Sequence, residues 1–177
     1  ARQLAWGRTP AIPATSLVIG NLGINRENFD FTFSSLIGTL PILLGDPRQL
    51  DEKQRAGSKQ WGMCLREMQE KYNYWLYRQD LPGFGEPAPE SWDGWSKINK
   101  ETKEGGIVGV FRQGAVENSR IITVRYLDPD QQYIIRRAPE RNVLYQMSGE
   151  ELANKGFKVV ASDNFEGLIF EIEKLTN

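Results

Sequence analysis

The sequence predicts an α/β segment followed by an all-β antiparallel sandwich. Two short apolar runs, at 17–19 and 40–44, flank a helical pattern, as parallel strands joined by a helix do. A longer helical pattern follows from about residue 50 to about residue 74. Beyond residue 90 the helical spacing nearly disappears, and short strands separated by turn residues indicate a sandwich.

The strand, helix and strand of the first segment lie within residues 16–48. The run at 17–19 is wholly apolar and ends at Gly20 and Asn21, which is typical of a strand buried on both faces. Asn25 is the expected helix N-cap, and Gly38 is expected to end the helix in a left-handed conformation. The buried face of this helix is predicted by four residues at helical spacing: Phe29, Phe33, Leu36 and Ile37. In α/β folds ligands meet the loops after the carboxyl ends of strands, here 20–25 and 45–48.

The long helix presents one apolar stripe. Its residues recur at spacings of 4, 3, 4 and 3, and they are Trp61, Leu65, Met68, Tyr72 and Trp75. Gly57 and Gly62 weaken a helix, so we expect close packing or a local break there. Cys64 lies within the helical pattern, and an inert buried thiol is expected.

A stretch rich in proline and glycine, 74–89, separates the helical segment from the strand-rich segment. We therefore predict a first domain at 1–80, a linker at 81–90 and an antiparallel β-sandwich at 91–177. The strands predicted in the sandwich are 92–98, 107–112, 120–127, 132–137, 142–146, 157–161 and 168–173. A single helix is predicted at 148–155, with Ser148 as its cap and Glu151 at the capping-box position.

Charge and composition exclude several classes of function. The 22 basic and 23 acidic residues are interspersed and give a net charge of -1, so no basic stripe points to nucleic acid. No apolar run is long enough to span a membrane. The single cysteine excludes a disulfide framework, and without histidine no Ser or Cys has an imidazole base. No cluster has metal-ligand spacing, so neither a metal nor another cofactor is expected.

SLVIGNLG, a Phe-rich helix and LPILLGDPRQL together resemble the α-galactosidase (melibiase-like) clan of glycoside hydrolases. The resemblance implies the last two strand-helix units of a (β/α)8 barrel, followed by a carboxyl-terminal β-sandwich. It also implies retaining hydrolysis of α-linked sugars by two carboxylates about 5 Å apart. In this clan both are aspartates on earlier barrel strands, which would precede Ala1. The implied partners are a carbohydrate and the remainder of a parent polypeptide, in a secreted or periplasmic setting. We assign no catalytic residue to this chain and expect it to be inactive alone.

Five residues are candidates for contact with a sugar. Asn21, Asp46 and Arg48 lie on the two strand-to-helix loops and can hydrogen-bond hydroxyl groups. Trp6 and Arg8 belong to the opening stretch 1–15, which is expected to be a loop, and an indole face can stack on a pyranose ring. The alternatives are that Asp46 is a turn or N-cap residue, that Asn21 adopts left-handed geometry, and that the Trp6 segment is an ordinary surface loop.

Three classes of protein remain open from the sequence. The first is the terminal part of a glycoside hydrolase, and the second is an accessory β-sandwich that binds carbohydrate without cleaving it. The third is an interaction protein whose first segment completes a sheet of a partner. Exposed apolar strand edges within 16–48 would favour the first and third classes. The aromatic residues near the boundary either form a carbohydrate platform or pack two domains together: Trp75, Tyr77, Phe84, Trp92 and Trp95.

Overall fold

The computed structural model describes residues 1–21, 28–43 and 46–176, with the backbone alone for Asn21 and Leu43. The helices are α1 (Arg2–Arg8), α2 (Phe29–Ser34), α3 (Glu52–Tyr72) and α4 (Gly149–Asn154). The strands are β1 (Val18–Asn21), β2 (Leu40–Leu43), β3 (Gln79–Asp80), β4 (Ser91–Ile98), β5 (Gly105–Gln113), β6 (Ser119–Ile122), β7 (Gln132–Ala138), β8 (Asn142–Ser148), β9 (Phe157–Val160) and β10 (Phe165–Lys174). Short 3-10 turns lie at Ala14–Ser16, Pro47–Gln49 and Tyr74–Leu76.

The described strands form three sheets. β1 and β2 make a two-stranded parallel sheet, and β6 and β9 make a two-stranded antiparallel one. The large sheet has six antiparallel strands in the order β3-β4-β5-β10-β7-β8. The fold is therefore mixed α/β with mostly antiparallel sheets, consistent with a β-sandwich. All seven strands predicted beyond residue 90 are present, but β6 ends at Ile122, short of the predicted residue 127.

The parallel pairing of β1 with β2 confirms the predicted strand-helix-strand unit. Val18 pairs with Leu40, and the register continues to Asn21 and Leu43. The burial predicted for both faces is wrong, because Val18 is 50% exposed and Ile42 is 38% exposed. This small sheet thus leaves apolar side chains uncovered, which favours the first and third classes of protein over the second.

The opening stretch forms a helix, so the loop expected at 1–15 is wrong. α1 has no helical apolar period of its own, and it is held by tertiary contacts. Ala5 packs in a small apolar cluster with Ile19 and Leu36. Arg2, at the first turn, reaches the large sheet with its side chain. Tertiary packing therefore decides the conformation of this segment.

α2 is short and begins later than predicted. Its N-cap is Asn28, whose side chain accepts a hydrogen bond from the backbone N–H of Phe31 at 3.1 Å. Asn25, the predicted cap, lies outside the described residues. The buried face is confirmed, with Phe33, Leu36 and Ile37 all buried, although the last two follow the helix end.

Gly38 does not have the left-handed conformation that was predicted for it. A Cβ atom at this position would lie 3.2 Å from Nε1 of Trp95. The absence of a side chain therefore serves the close packing of the turn after α2 against the large sheet.

α3 follows the predicted helix closely. The Asp51 carboxylate accepts from the backbone N–H of Gln54 at 2.7 Å, and the Gln54 side chain accepts from the backbone N–H of Asp51 at 3.2 Å. This reciprocal pair satisfies two free donors of the first turn. The buried stripe contains Trp61, Cys64, Leu65, Met68 and Tyr72. Trp75 lies beyond the helix end and is only partly buried.

The helix is continuous through its two glycines, so the close packing or break expected there is wrong. No atom lies within 4 Å of a Cβ built at Gly62, and the nearest at Gly57 is a ring carbon of Phe29 at 3.9 Å. Gly62→Ala is expected to stabilise the chain by about 0.5–1 kcal/mol, since alanine loses less backbone entropy in a helix.

Urea unfolding followed by circular dichroism measures this gain. The matched substitution is Gly109→Ala on β5, where the new Cβ would lie 2.5 Å from Cζ2 of Trp95. That variant is expected to lose stability by overpacking. An unchanged or lower midpoint for Gly62→Ala would contradict the prediction.

Two apolar clusters cover the opposite faces of the large sheet. Side chains alternate between the faces, so Val108 and Val110 belong to one cluster while Ile107 and Phe111 belong to the other. The first cluster lies under β6, β9 and α4. The second cluster lies under α2 and α3 and includes Trp95, Ile169, Trp61 and Met68. The helices of the first segment and the sheet therefore share one core.

Candidate functional site

Asp46 and Arg48 form one unit just after β2. The Asp46 carboxylate caps the 3-10 turn by accepting from the backbone N–H of Arg48 at 3.0 Å. It also accepts from the Arg48 side chain through Nε at 2.9 Å and NH2 at 2.9 Å. These hydrogen bonds lower the pKa of the Asp46 carboxyl. Asp46 therefore has the capping role that the sequence offers as an alternative to sugar contact, and its ionised carboxylate lies at the surface.

Asn21 is the last residue of β1, and its side chain lies outside the described part of the chain. Its backbone pairs with Leu43, the last residue of β2. Since the two strands are parallel, Asn21 and Asp46 follow the same edge of the sheet. The loop predicted at 20–25 lies mostly outside the described residues.

Trp6 and Arg8 lie on α1 rather than on a loop. The Arg78 guanidinium lies over the Trp6 ring, 4.5 Å from its centroid. Arg8 is exposed in the last turn of the helix. Among the described residues, no hydrogen bond or ion pair joins Trp6 or Arg8 to Asp46 or Arg48. The structure therefore brings Asp46 and Arg48 together and shows no contact between them and Trp6 or Arg8 among the described residues.

A buried ion pair that the sequence does not predict joins Arg2 and Asp93. Nε of Arg2 donates to Oδ1 of Asp93 at 2.9 Å, and NH2 donates to Oδ2 at 3.1 Å. Further donors reach Ser35 Oγ at 2.6 Å and the side chain of Gln113. No pattern in the sequence signals this pair, because its members are 91 residues apart.

Aromatic rings and burial define the surroundings of this ion pair. The Arg2 guanidinium lies between the rings of Phe31 and Phe111, 4.7 and 4.6 Å from their centroids. The side chains of Arg2 and Asp93 are 9% and 2% exposed. Burial raises the pKa of Asp93, while the nearby Arg2 charge opposes that shift. The pair anchors α1 to β4 and makes no contact that suggests catalysis.

Lys97 is a second buried cation on the helix-facing side of the sheet. Its side chain is fully buried, and Nζ donates to the backbone carbonyl of Tyr77 at 2.7 Å. Burial, with a smaller effect of the Arg78 charge, lowers the pKa of Lys97 to about 7. The adjacent cavity of about 20 Å³, lined in part by Trp6, Asp93 and Lys97, has room for about one water molecule. It is too small for a sugar.

Glu171 is the centre of a third buried polar group. It accepts from the Tyr72 hydroxyl at 2.8 Å and from two nitrogens of Arg141, at 2.8 and 2.9 Å. Burial and the Glu171 charge raise the pKa of Tyr72. Burial raises the pKa of the Cys64 thiol to about 11, and the thiol is buried, as expected from the sequence. This group joins α3 to β10 and is structural.

The aromatic residues near the predicted boundary do not form one platform. Phe84 and Trp92 belong to the cluster on one face of the large sheet, while Trp95 belongs to the cluster on the other. Both tryptophans and Tyr77 are buried. Packing is therefore their observed role.

A groove of about 620 Å³, here called the α2–α3 groove, lies between the first segment and the large sheet. Its walls are the start of α2, the first half of α3, the β7–β8 turn and the β9–β10 turn. Its volume lies within the range of small-molecule sites. Within residues 1–21, 28–43 and 46–176, no group of acidic or thiol side chains could hold a metal ion. No helix of these ranges is long and apolar enough to cross a membrane.

The fold is similar to a part of solved α-galactosidases, which confirms at the level of the fold the resemblance stated from the sequence. No family model matches the chain, and no curated protein does. Solved α-galactosidase structures do match it, six of them over 96–98% of this chain and 23–24% of theirs. The chain thus spans about a quarter of the length of these structures.

One of them is the GH36 α-galactosidase AgaB from Geobacillus stearothermophilus, with a TM-score of 0.76, 16% identity and coverage of 98% of this chain and 24% of that one. The α-galactosidase from Lactobacillus brevis matches with a TM-score of 0.69 and 14% identity, over 97% of this chain and 24% of that one. AgaA from Geobacillus stearothermophilus, in an A355E D478A form solved in complex with stachyose, matches with a TM-score of 0.74 and 14% identity, over 96% and 23%.

Proposed function

We propose that the chain is the carboxyl-terminal part of a retaining glycoside hydrolase that acts on α-linked sugars. In this proposal β1, α2, β2 and α3 are the last two strand-helix units of a (β/α)8 barrel, and the catalytic aspartates lie upstream of Ala1. The barrel portion is 1–80, the linker is 81–90, and the sandwich is 91–177. The parent polypeptide and a carbohydrate are the proposed partners, and no cofactor is required.

The uncovered β1–β2 sheet carries the proposal. Parallel strands occur almost only in sheets whose two faces are covered, and two strands alone are marginal in water. Here Val18 and Ile42 expose 50% and 38% of their surface. Further strands and helices on the amino-terminal side would cover them. The chain matches, over 98% of its length, about a quarter of the length of a solved GH36 α-galactosidase. This match supports the proposal that further strands and helices complete the sheet.

The proposed sugar contacts follow from the strand edge. Ligands of such barrels meet the carboxyl ends of the strands and the loops that follow; Asn21 ends β1, and the Asp46–Arg48 unit follows β2. The ionised carboxylate of Asp46 would accept hydrogen bonds from hydroxyl groups, and Arg48 would donate them. Trp6 and Arg8 are retained as a second proposed contact surface. None of these residues performs the bond cleavage, which the proposal assigns to two upstream carboxylates.

Hydrolysis of p-nitrophenyl α-D-galactoside by a polypeptide extended upstream through a complete barrel tests the proposal. We expect hydrolysis, and we expect Asp46→Asn to lower kcat/KM by about tenfold, the loss of one charge-assisted hydrogen bond. Asp130→Asn, in the β6–β7 turn, is the matched control and should leave the rate unchanged. A folded extended polypeptide that cleaves no α-glycoside would contradict the proposal.

Two other functions are compatible with the groove and with the exposed strands: that of an accessory module and that of an interaction protein. An accessory module would bind carbohydrate without cleaving it, and the α2–α3 groove favours that function. An interaction protein would use the exposed faces of β1 and β2 to complete a sheet of a partner. Binding of an oligosaccharide without hydrolysis by the extended polypeptide would favour the first alternative, and absence of both would favour the second.

A further inference from the structure

The α2–α3 groove opens at a defined end of the proposed barrel portion. α2 and α3 each begin after the carboxyl end of a parallel strand, so their first turns lie on the side where such barrels bind ligands. The groove is lined by these first turns, including Asn28, Phe29 and Asp51. It is therefore placed beside the proposed catalytic face and extends from it toward the large sheet.

One wall of the groove presents an aromatic ring. Phe165, at the start of β10, is 51% exposed and meets the Phe31 ring edge-on at a centroid distance of 6.1 Å. Its backbone carbonyl accepts a hydrogen bond from the Asn28 side chain at 2.9 Å. A large, half-exposed ring held in place on a concave surface suits the apolar face of a sugar ring.

Polar groups without partners line the other walls. Asp30, Lys53 and Gln60 have no hydrogen bond or ion pair to any described residue, so their donors and acceptors are free to bind a ligand. Arg137 and Glu166 form an ion pair at 3.3 Å, and Glu166 also accepts from the backbone N–H groups of Ser162 and Asp163. Internal contacts therefore hold Arg137 and Glu166 in place, whereas no such contact holds Asp30, Lys53 or Gln60.

The charge of the groove selects the class of ligand. Five carboxylates and two cationic side chains line it, so a polyanion such as nucleic acid or a sulfated chain is disfavoured. The Asp30 carboxylate can accept hydrogen bonds from hydroxyl groups, the Lys53 ammonium can donate them, and the Gln60 amide can do both. Together with the Phe165 ring, this composition fits a neutral oligosaccharide.

We propose that the α2–α3 groove binds the distal sugar units of an extended neutral oligosaccharide whose terminal unit occupies the catalytic site. The inference deepens the proposed function and rests on it. The groove would increase affinity for longer substrates and have no effect on a substrate with one sugar unit.

Titration of the 177-residue chain with stachyose, followed by ligand-observed NMR, tests binding directly. Phe165→Ala is expected to weaken binding by about tenfold. Asp30→Ala combined with Gln60→Ala is expected to weaken it similarly, and neither residue has an internal contact whose loss would unfold the chain. Val143→Ala, at an exposed position on β8 outside the groove, is the control and should have no effect. Equal affinity in all four proteins, or no binding up to about 50 mM stachyose, would overturn the inference.

A kinetic comparison separates this inference from the proposed function. In the extended polypeptide, the groove variants should lower kcat/KM for stachyose by about tenfold and leave that for p-nitrophenyl α-D-galactoside unchanged. If both substrates are cleaved but the variants affect neither, or both equally, the groove is not a subsite and the proposed function stands. If the groove variants weaken binding while neither substrate is cleaved, the site is supported and the proposed function fails.

Discussion

Arg2→Met is expected to lower the free energy of unfolding by about 3–5 kcal/mol, because it leaves the Asp93 carboxylate buried without its cation. Met keeps much of the apolar stem between Phe31 and Phe111, so the loss reports mainly on charge and hydrogen bonds. The lost donors also leave Ser35 and Gln113 with fewer partners. Urea unfolding monitored by tryptophan fluorescence measures the change.

Arg8→Met is the matched control for this prediction. Arg8 lies in the same helix but is exposed, so its replacement should change stability by less than about 0.5 kcal/mol. Arg2→Met combined with Asp93→Leu should recover much of the loss, since no buried charge remains. Equal midpoints for Arg2→Met and the unchanged protein would show that the ion pair does not anchor α1.

The stability of the chain is expected to rise with pH between pH 7 and pH 9 through Lys97. Burial lowers the pKa of Lys97 from 10.5 to about 7, so in this window the unfolded state binds a proton that the folded state lacks. The free energy of unfolding then increases by up to about 1.4 kcal/mol per pH unit. Below pH 7 both states are protonated, and the penalty for the buried charge is complete.

Other groups limit the upper end of this window. The raised pKa values of Cys64, Tyr72 and Tyr74 mean that the folded state retains protons that the unfolded state loses, which reduces stability above about pH 9. The lowered pKa of the Ala1 amine adds a slope of the same sign as Lys97. The decisive quantity is therefore the difference between the protein and Lys97→Met. Parallel pH profiles of the two proteins would contradict the prediction.

Periodicity was sufficient for the elements that bury a regular face. The stripe of α3 was predicted from spacing, as were the seven strands beyond residue 90 and the capping box at Ser148 and Glu151, which the structure confirms. The strand-helix-strand unit at 16–48 was predicted from two apolar runs, and its parallel pairing is confirmed. In each case a local pattern and the tertiary packing favour the same structure.

The features that escaped prediction depend on contacts distant in sequence. α1 lacks an apolar period, and its conformation depends on Arg2 meeting Asp93, 91 residues away. The role of Gly38 is set by the Trp95 ring, which no neighbour of Gly38 in sequence reveals. The sequence predicts that Asp46 and Arg48 share one loop of the proposed site. It does not predict their ion pair, which depends on the 3-10 turn that begins at Pro47. The contacts of all five candidates with a sugar stay predictions.

The core shared by α2, α3 and the large sheet restricts movement of the sheet relative to these helices. Trp61 and Met68 are packed in the same cluster as Trp95 and Ile169, so a hinge at the proline-rich stretch would have to open buried apolar surface. The large sheet is therefore packed against α2 and α3, and we expect the two to move as one body. An exchange of segments with another protein of the same fold would have to transfer these helices together with the sheet that they cover.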